Sequence, residues 1–151
     1  RKIFKRFNNF FSGNSFPRPK TILDTDIEKL RLIGLSYRKA EYINNIAQAF
    51  LDKSDIYLNL DKISDDEIIA NLTKVKGIGL WTAQMFLMFT LNRPDIFPAT
   101  DLAMQKGFQM YFGLKSLPNP NMMIQRSEEW IPYRTTVSLY FWSVIEGPFE
   151  W

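Results

Sequence analysis

Two places in the chain hold residues whose types and spacing suit chemistry. The first is Lys74-Val75-Lys76-Gly77-Ile78-Gly79-Leu80-Trp81-Thr82-Ala83, where two glycines flank an isoleucine between two stretches of helical periodicity. Glycine reaches positive φ and lets another backbone approach closely. With Ile78 tucked inward, the amides around Gly77 and Gly79 would point outward at the N-terminus of the next helix and bind a phosphate oxygen, with Lys74 and Lys76 adding charge. Such a contact grips a nucleic-acid backbone without reading its sequence. Taken alone, Gly-x-Gly is more often a turn with no ligand. The second place is Asp101, which follows a loop containing Pro94 and Pro98 and stands where a helix begins. A helix dipole favours a carboxylate there, and taken alone an aspartate in that position is an N-cap.

Composition narrows what these groups could do. The chain of 151 residues has no cysteine and no histidine. That excludes a disulfide framework, thiolate metal sites, a cysteine-ligated iron–sulfur cluster and a Ser-His-Asp triad. Any catalysis must use carboxylates, lysine, tyrosine or backbone groups. The formal charge of +3 is unevenly spread. Arg1, Lys2, Lys5, Arg6, Arg18 and Lys20 crowd the first twenty residues without an acid, and the remainder is net acidic. A mild excess of this kind is weak support for a polyanionic partner. No apolar run reaches the ~18 residues that would cross a bilayer, so a membrane partner is not expected.

The elements that must position these groups read as helices throughout, with no alternating strand. Ile3, Phe7, Phe10 and Phe11 stripe a first helix, and a turn-rich break spans Gly13 to Pro19. Asp24 or Asp26 caps a short helix through Leu32, and Ser36 caps the next, whose face carries Tyr37, Ala40, Ile43, Ala47 and Phe50. The acid-rich stretch from Asp52 to Glu67 reads as solvated surface, and within it Ser64 to Glu67 has a capping-box pattern for a helix ending near Thr73. Leu80 to Leu91 is nearly all apolar and predicts a buried central helix. A loop over Asn92–Thr100 leads to a helix over Asp101–Phe112, then helices over Asn119–Glu129 and Pro132–Ile145. No composition shift marks a domain boundary within 1–151. Gly34-Leu35-Ser36-Tyr37-Arg38-Lys39-Ala40 echoes Gly77-Ile78-Gly79-Leu80-Trp81-Thr82-Ala83, each joining two helices.

In its extended context the second turn resembles a known signature. Val75 through Ala83, with the hairpin at 74–80, is similar to the helix-hairpin-helix of DNA glycosylases. Arg93-Pro94-Asp95-Ile96-Phe97-Pro98 followed by Asp101-Leu102-Ala103-Met104-Gln105-Lys106-Gly107 resembles the Gly/Pro-rich loop and catalytic aspartate of that superfamily. Trp130-Ile131-Pro132-Tyr133-Arg134, the helix bearing Trp142, and Leu35 through Ile43 fit the 3-methyladenine DNA glycosylase II branch.

The resemblance implies an all-α glycosylase fold, two helical lobes flanking a cleft, with further helices preceding residue 1. It implies hydrolysis of the N-glycosidic bond of flipped-out alkylated purines, of the 3-methyladenine or 7-methylguanine kind. Asp101 would stabilise oxocarbenium character on the sugar and orient the attacking water. Bifunctional relatives carry a nucleophilic lysine where this chain has Trp81, so the activity implied is monofunctional. Trp81 and Trp142 would wall the base pocket, an aromatic surface suited to a cationic base. Met85 and Met88 share a face with Trp81; Met85 is assigned to the pocket beside it, and core packing competes for both methionines. Lys74, Lys76, Gly77, Ile78, Gly79 and Thr82 would contact DNA. The resemblance implies a monomer acting on duplex DNA in the nucleus or bacterial cytoplasm, with no cofactor beyond a monovalent cation that hairpin carbonyls hold in some relatives. A non-catalytic DNA-binding module, or a glycosylase for hypoxanthine or ethenoadenine, are the competing readings.

Overall fold

The structure, a computed structural model, describes residues 2–11, 16–52 and 59–147. The expected break over Gly13–Pro19 and the acid-rich stretch from Asp52 lie partly outside these residues. Among them there is no strand, in agreement with the all-α expectation. The helices are α1 (Lys2–Phe10), α2 (Pro19–Leu23), α3 (Ile27–Leu32), α4 (Tyr37–Asp52), α5 (Asp65–Leu72), α6 (Leu80–Phe89), α7 (Leu102–Phe112), α8 (Pro120–Ser127) and α9 (Arg134–Glu146), with single 3₁₀ turns at Leu60–Lys62 and Glu128–Trp130.

Local chemistry explains most of the helix starts. Asp26 Oδ1 accepts from the Glu28 amide at 2.8 Å, Ser36 Oγ from Lys39 at 3.3 Å and Ser64 Oγ from Glu67 at 3.3 Å. Each satisfies one of the amides that a helix start leaves without a partner. Asp26 is therefore the cap of α3, while Asp24 closes α2, a short helix that periodicity did not reveal. Pro19 opens α2, its fixed φ suiting the first helical position. α6 ends at Phe89, two residues before the expected end, because Asn92 adopts φ +53° and turns the chain out of the helix.

The chain divides into two compact units, Arg1–Gly79 and Leu80–Trp151. No composition shift announced this division, because it falls inside the tight turn between α5 and α6 rather than in a linker. In the N-terminal unit Leu30, Ile33 and Ala40 are buried, with Phe7, Phe11, Ile27 and Leu35 packed on them. Phe7 and Phe11 of the predicted stripe face this core, whereas Ile3 and Phe10 are exposed. In the C-terminal unit α7 packs along α9, and Phe108, Phe112, Trp130 and Phe141 form a ring cluster. Gly107 makes the α7–α9 approach possible, since a Cβ there would stand 2.1 Å from the Phe141 carbonyl oxygen.

One expectation is corrected here. α6 buries Ala83, Leu87 and Met88, but Leu80, Trp81 and Phe89 are about half exposed. A helix apolar on every side is expected to be enclosed. Large apolar side chains left in solvent along one helix are more characteristic of a surface that meets something else.

Candidate active site

Asp101 N-caps α7, with extended backbone at φ −72° and ψ 129°. Its Oδ1 accepts from the Met104 amide at 2.8 Å and from Trp142 Nε1 at 3.0 Å; its Oδ2 accepts from Trp81 Nε1 at 2.8 Å. Cap and candidate catalytic group are thus one side chain, and three N–H donors from α6, α7 and α9 fix its plane. The carboxylate is only partly buried. The two indoles differ in what they offer. Trp81 is 49% exposed, leaving much of its ring surface open, whereas Trp142 is 6% exposed and stacks on Phe89 at 6.2 Å between centroids. Trp142 therefore presents its N–H to the carboxylate and little surface to a ligand. Met88 is buried, as the core reading had it, and Met85 is half-buried.

The loop before Asp101 is fastened to α9. Arg134 Nε and Nη2 each donate to a different oxygen of Asp95 at 2.7 Å, and the Arg134 amide donates to Oδ1 at 3.3 Å. The guanidinium holds the Asp95 carboxyl below the usual carboxylate range, and the carboxylate in turn raises the arginine. Thr135 Oγ1 donates to the Arg93 carbonyl at 2.7 Å and accepts from the Ile96 amide at 2.9 Å. Thr135 and Ser138 went unremarked in the sequence, where hydroxyl residues in a helix carry no signal of a partner some forty positions away.

The hairpin candidates are divided between the units. Gly77 has φ +110°, and a Cβ on it would stand 2.3 Å from the Tyr42 ring, so both conformation and packing require glycine. Ile78 is half-buried, and its amide donates to the Val75 carbonyl at 3.0 Å. Gly79 has open space where a Cβ would be, and among the described residues its amide donates to no backbone carbonyl. Lys74 is exposed, its Nζ 3.3 Å from Asn71 Oδ1. Lys76 is paired with Glu41 at 2.7 Å, and that carboxylate holds the ammonium pKa above its ordinary value. Sequence spacing gave no sign of this pairing. Thr82 is exposed on the first turn of α6.

The hairpin carbonyls of Val75 and Lys76 accept from the Ile78 amide and, at 3.1 Å, from Asn45 Nδ2. Among the described residues no cluster of three His, Cys, Asp or Glu could hold a metal ion, and no helix is long and apolar enough to cross a membrane. An aromatic cavity of about 510 Å³ lies elsewhere in the C-terminal unit, between Phe112, Trp130, Tyr140 and Phe141. Its charged lining residue is Arg126, and no carboxylate enters it, so it lacks the group that Asp101 supplies.

The chain is similar to known proteins in sequence and in fold. The family profile described as HhH-GPD superfamily base excision DNA repair protein matches residues 1–133. DNA-3-methyladenine glycosylase 1 of Schizosaccharomyces pombe is 36% identical over 141 residues, covering 93% of this chain and 62% of that protein. The alkylbase DNA glycosidase-like protein of the same yeast is 35% identical over 144 residues, covering 94% and 68%. The solved structure of S. pombe 3-methyladenine DNA glycosylase in complex with abasic DNA superposes with a TM-score of 0.86 at 34% identity, over 99% of this chain and 74% of that one. The chain thus spans less than two thirds of the length of the first of these relatives.

Proposed function

The chain belongs to the HhH-GPD superfamily of base excision DNA repair proteins, and from that membership we propose that it is a monofunctional DNA glycosylase that excises alkylated purines. The observation that carries the reading is the carboxylate of Asp101, held by Trp81 and Trp142 beside the half-exposed indole face of Trp81.

Duplex DNA bearing an alkylated purine is the substrate. The damaged base leaves the stack at a cost of a few kcal/mol, less when its pairing is already weak. Trp81 receives it, and a cationic ring over an indole face gains about 0.5–2 kcal/mol. The bond from sugar C1′ to the purine nitrogen breaks, and its electron pair neutralises the cationic base, so no strong general acid is required. Positive charge grows on the sugar, where the Asp101 carboxylate opposes it. Water adds to C1′ and gives up a proton, leaving an abasic site. Trp81 has no amine, so it forms no Schiff base and the strand stays uncut. The Gly77–Gly79 turn and Thr82 hold phosphates, Lys74 adds charge, and Lys76 takes part once Glu41 releases it. The protein works as a monomer wherever DNA is housed, in a nucleus or bacterial cytoplasm.

The experiment is base release from alkylated duplex DNA, comparing the chain with Asp101→Asn. Asparagine keeps the cap, since its side-chain oxygen still accepts from Met104, but it removes the charge. Release of methylated purines without strand cutting, reduced at least about 10²-fold in the variant, is the expected result. DNA binding without base release would establish the non-catalytic module instead. Release of hypoxanthine or ethenoadenine in place of methylated purines would move the substrate to a neutral lesion.

A further inference from the structure

We infer that Arg134, Thr135 and Ser138 of α9 are positioning residues for Asp101, registering the 93–100 loop so that its carboxylate is aimed. This rests on the reading of Asp101 as the catalytic group.

Arg134, Ser138 and Trp142 recur at i, i+4 and i+8, one face of a helix, and together span about 12 Å of axis. Each touches the segment running into Asp101. Arg134 clamps Asp95 through two parallel bonds of 2.7 Å. Thr135, one residue on, holds the Arg93 carbonyl and the Ile96 amide, and its own amide donates to the Pro94 carbonyl at 2.9 Å. Ser138 is fully buried, and its Oγ lies 3.2 Å from the Ile96 carbonyl and 2.8 Å from that of Arg134. Trp142 completes the stripe on Asp101 Oδ1. At the loop's far end the Asp101 amide donates to the Pro98 carbonyl at 2.9 Å, and Gln105 Nε2 to the Ala99 carbonyl at 3.0 Å.

A loop with two prolines and no ladder of its own is thus fixed in register along a rigid helix. The same helix carries a donor to the carboxylate. A slip of the loop on α9 would move Asp101 relative to Trp142, and a misplacement of about 1 Å at a reacting group costs on the order of 10²-fold in rate. The polar groups are chosen for geometry. A planar guanidinium fits one carboxylate bidentately, and a lysine there would hold the charge without the alignment.

The discriminating pair is Thr135→Val and Thr135→Ser. Valine keeps the volume and removes both hydroxyl bonds; serine keeps the hydroxyl. The measurements are the single-turnover rate of base release from alkylated duplex, per folded molecule, and the Kd for duplex containing an abasic site. The expected result is a rate loss of about 10²-fold in Thr135→Val, an unchanged Kd, and recovery of most of the rate in Thr135→Ser. Arg134→Lys, which retains charge and length, should behave as Thr135→Val does. If the wild-type chain releases base and Thr135→Val is equally fast per folded molecule, the stripe only stabilises the fold and the positioning role is overturned. If the wild-type chain and Thr135→Ser both release no base, the reading of Asp101 falls, and the positioning role with it.

Discussion

Trp142 and Asp101 are 41 residues apart in sequence and joined by a single 3.0 Å bond from indole Nε1 to Oδ1. The same oxygen accepts the Met104 amide, so Trp142→Phe would leave the cap intact while removing one of the two indole donors. A hydrogen bond to a charged group is worth about 1.5–3 kcal/mol net, which as transition-state stabilisation is about 10- to 10²-fold in rate. The expected outcome is base release slowed by about 10- to 10²-fold per folded molecule, read in single-turnover assays. The smaller ring also leaves unfilled space beside Phe89, costing on the order of 1–3 kcal/mol of stability, which thermal unfolding would register separately. An unchanged rate would reduce Trp142 to packing.

Gly77 and Gly79 look equivalent in sequence and are not equivalent in the fold. Gly77→Ala meets both a positive φ and the Tyr42 ring, and either alone costs about 1–3 kcal/mol. Thermal unfolding should fall accordingly. Gly79→Ala meets nothing, so its melting temperature should hold. Its new methyl would stand beside the amide assigned to a phosphate, so duplex binding should weaken in a titration. Weakened stability with unaltered DNA affinity in Gly79→Ala would remove that amide from the interface.

What the sequence revealed follows the range of the physics. Caps and turns act over three or four residues, so Ser36, Ser64 and Asp101 were legible as helix starts. Two-residue freedom remained at Asp24 and Asp26 because both are competent caps, and only the path of α2 separates them. The long-range polar partners were not legible. Nothing near Thr135 says that its hydroxyl meets Arg93 and Ile96, and nothing near Lys76 says that Glu41 takes its charge. The aromatic character of Trp81 and Trp142 was visible, but their unequal exposure arises from packing of Trp142 against Phe89.

Gly107 tests how closely α7 and α9 must approach. A Cβ there would overlap the Phe141 carbonyl, a backbone atom that cannot swing aside. Gly107→Ala should separate the helices and cost about 1–3 kcal/mol or more. Because the carboxylate caps the start of α7 and one of its indole donors sits on α9, base release per folded molecule should fall together with stability. A variant as stable as wild type would mean that the helices already have room.

Acid should weaken the C-terminal unit through Asp95. Arg134 depresses the Asp95 pKa in the fold, so the pair contributes fully above the unfolded aspartate value of about 3.9. That contribution is lost as pH falls from there through the lower folded value. Denaturant unfolding of wild type and Asp95→Asn across pH 7 to 2 should show the wild-type advantage shrinking below about pH 4. A constant difference over the whole range would mean that the Asp95 charge contributes nothing to the fold.

Lys76 and Glu41 set the last prediction, which concerns DNA affinity. Their ion pair of 2.7 Å is solvent-exposed on the lysine side, where such pairs contribute little to folding. A lysine held by a carboxylate is partly neutralised as a phosphate ligand, so binding DNA requires Lys76 to exchange Glu41 for the backbone. Glu41→Gln removes the competitor and should tighten duplex binding, most visibly at low salt where exposed charges are least screened. Lys76→Met removes the ligand, and the slope of log K against log salt should shrink by about 0.9, the value for one phosphate contact on duplex DNA. In the double variant the benefit of Glu41→Gln should shrink to the weaker, general relief of removing an acid near DNA. If Glu41→Gln tightens binding equally with and without Lys76, the carboxylate acts by repelling DNA directly, and Lys76 is no ligand.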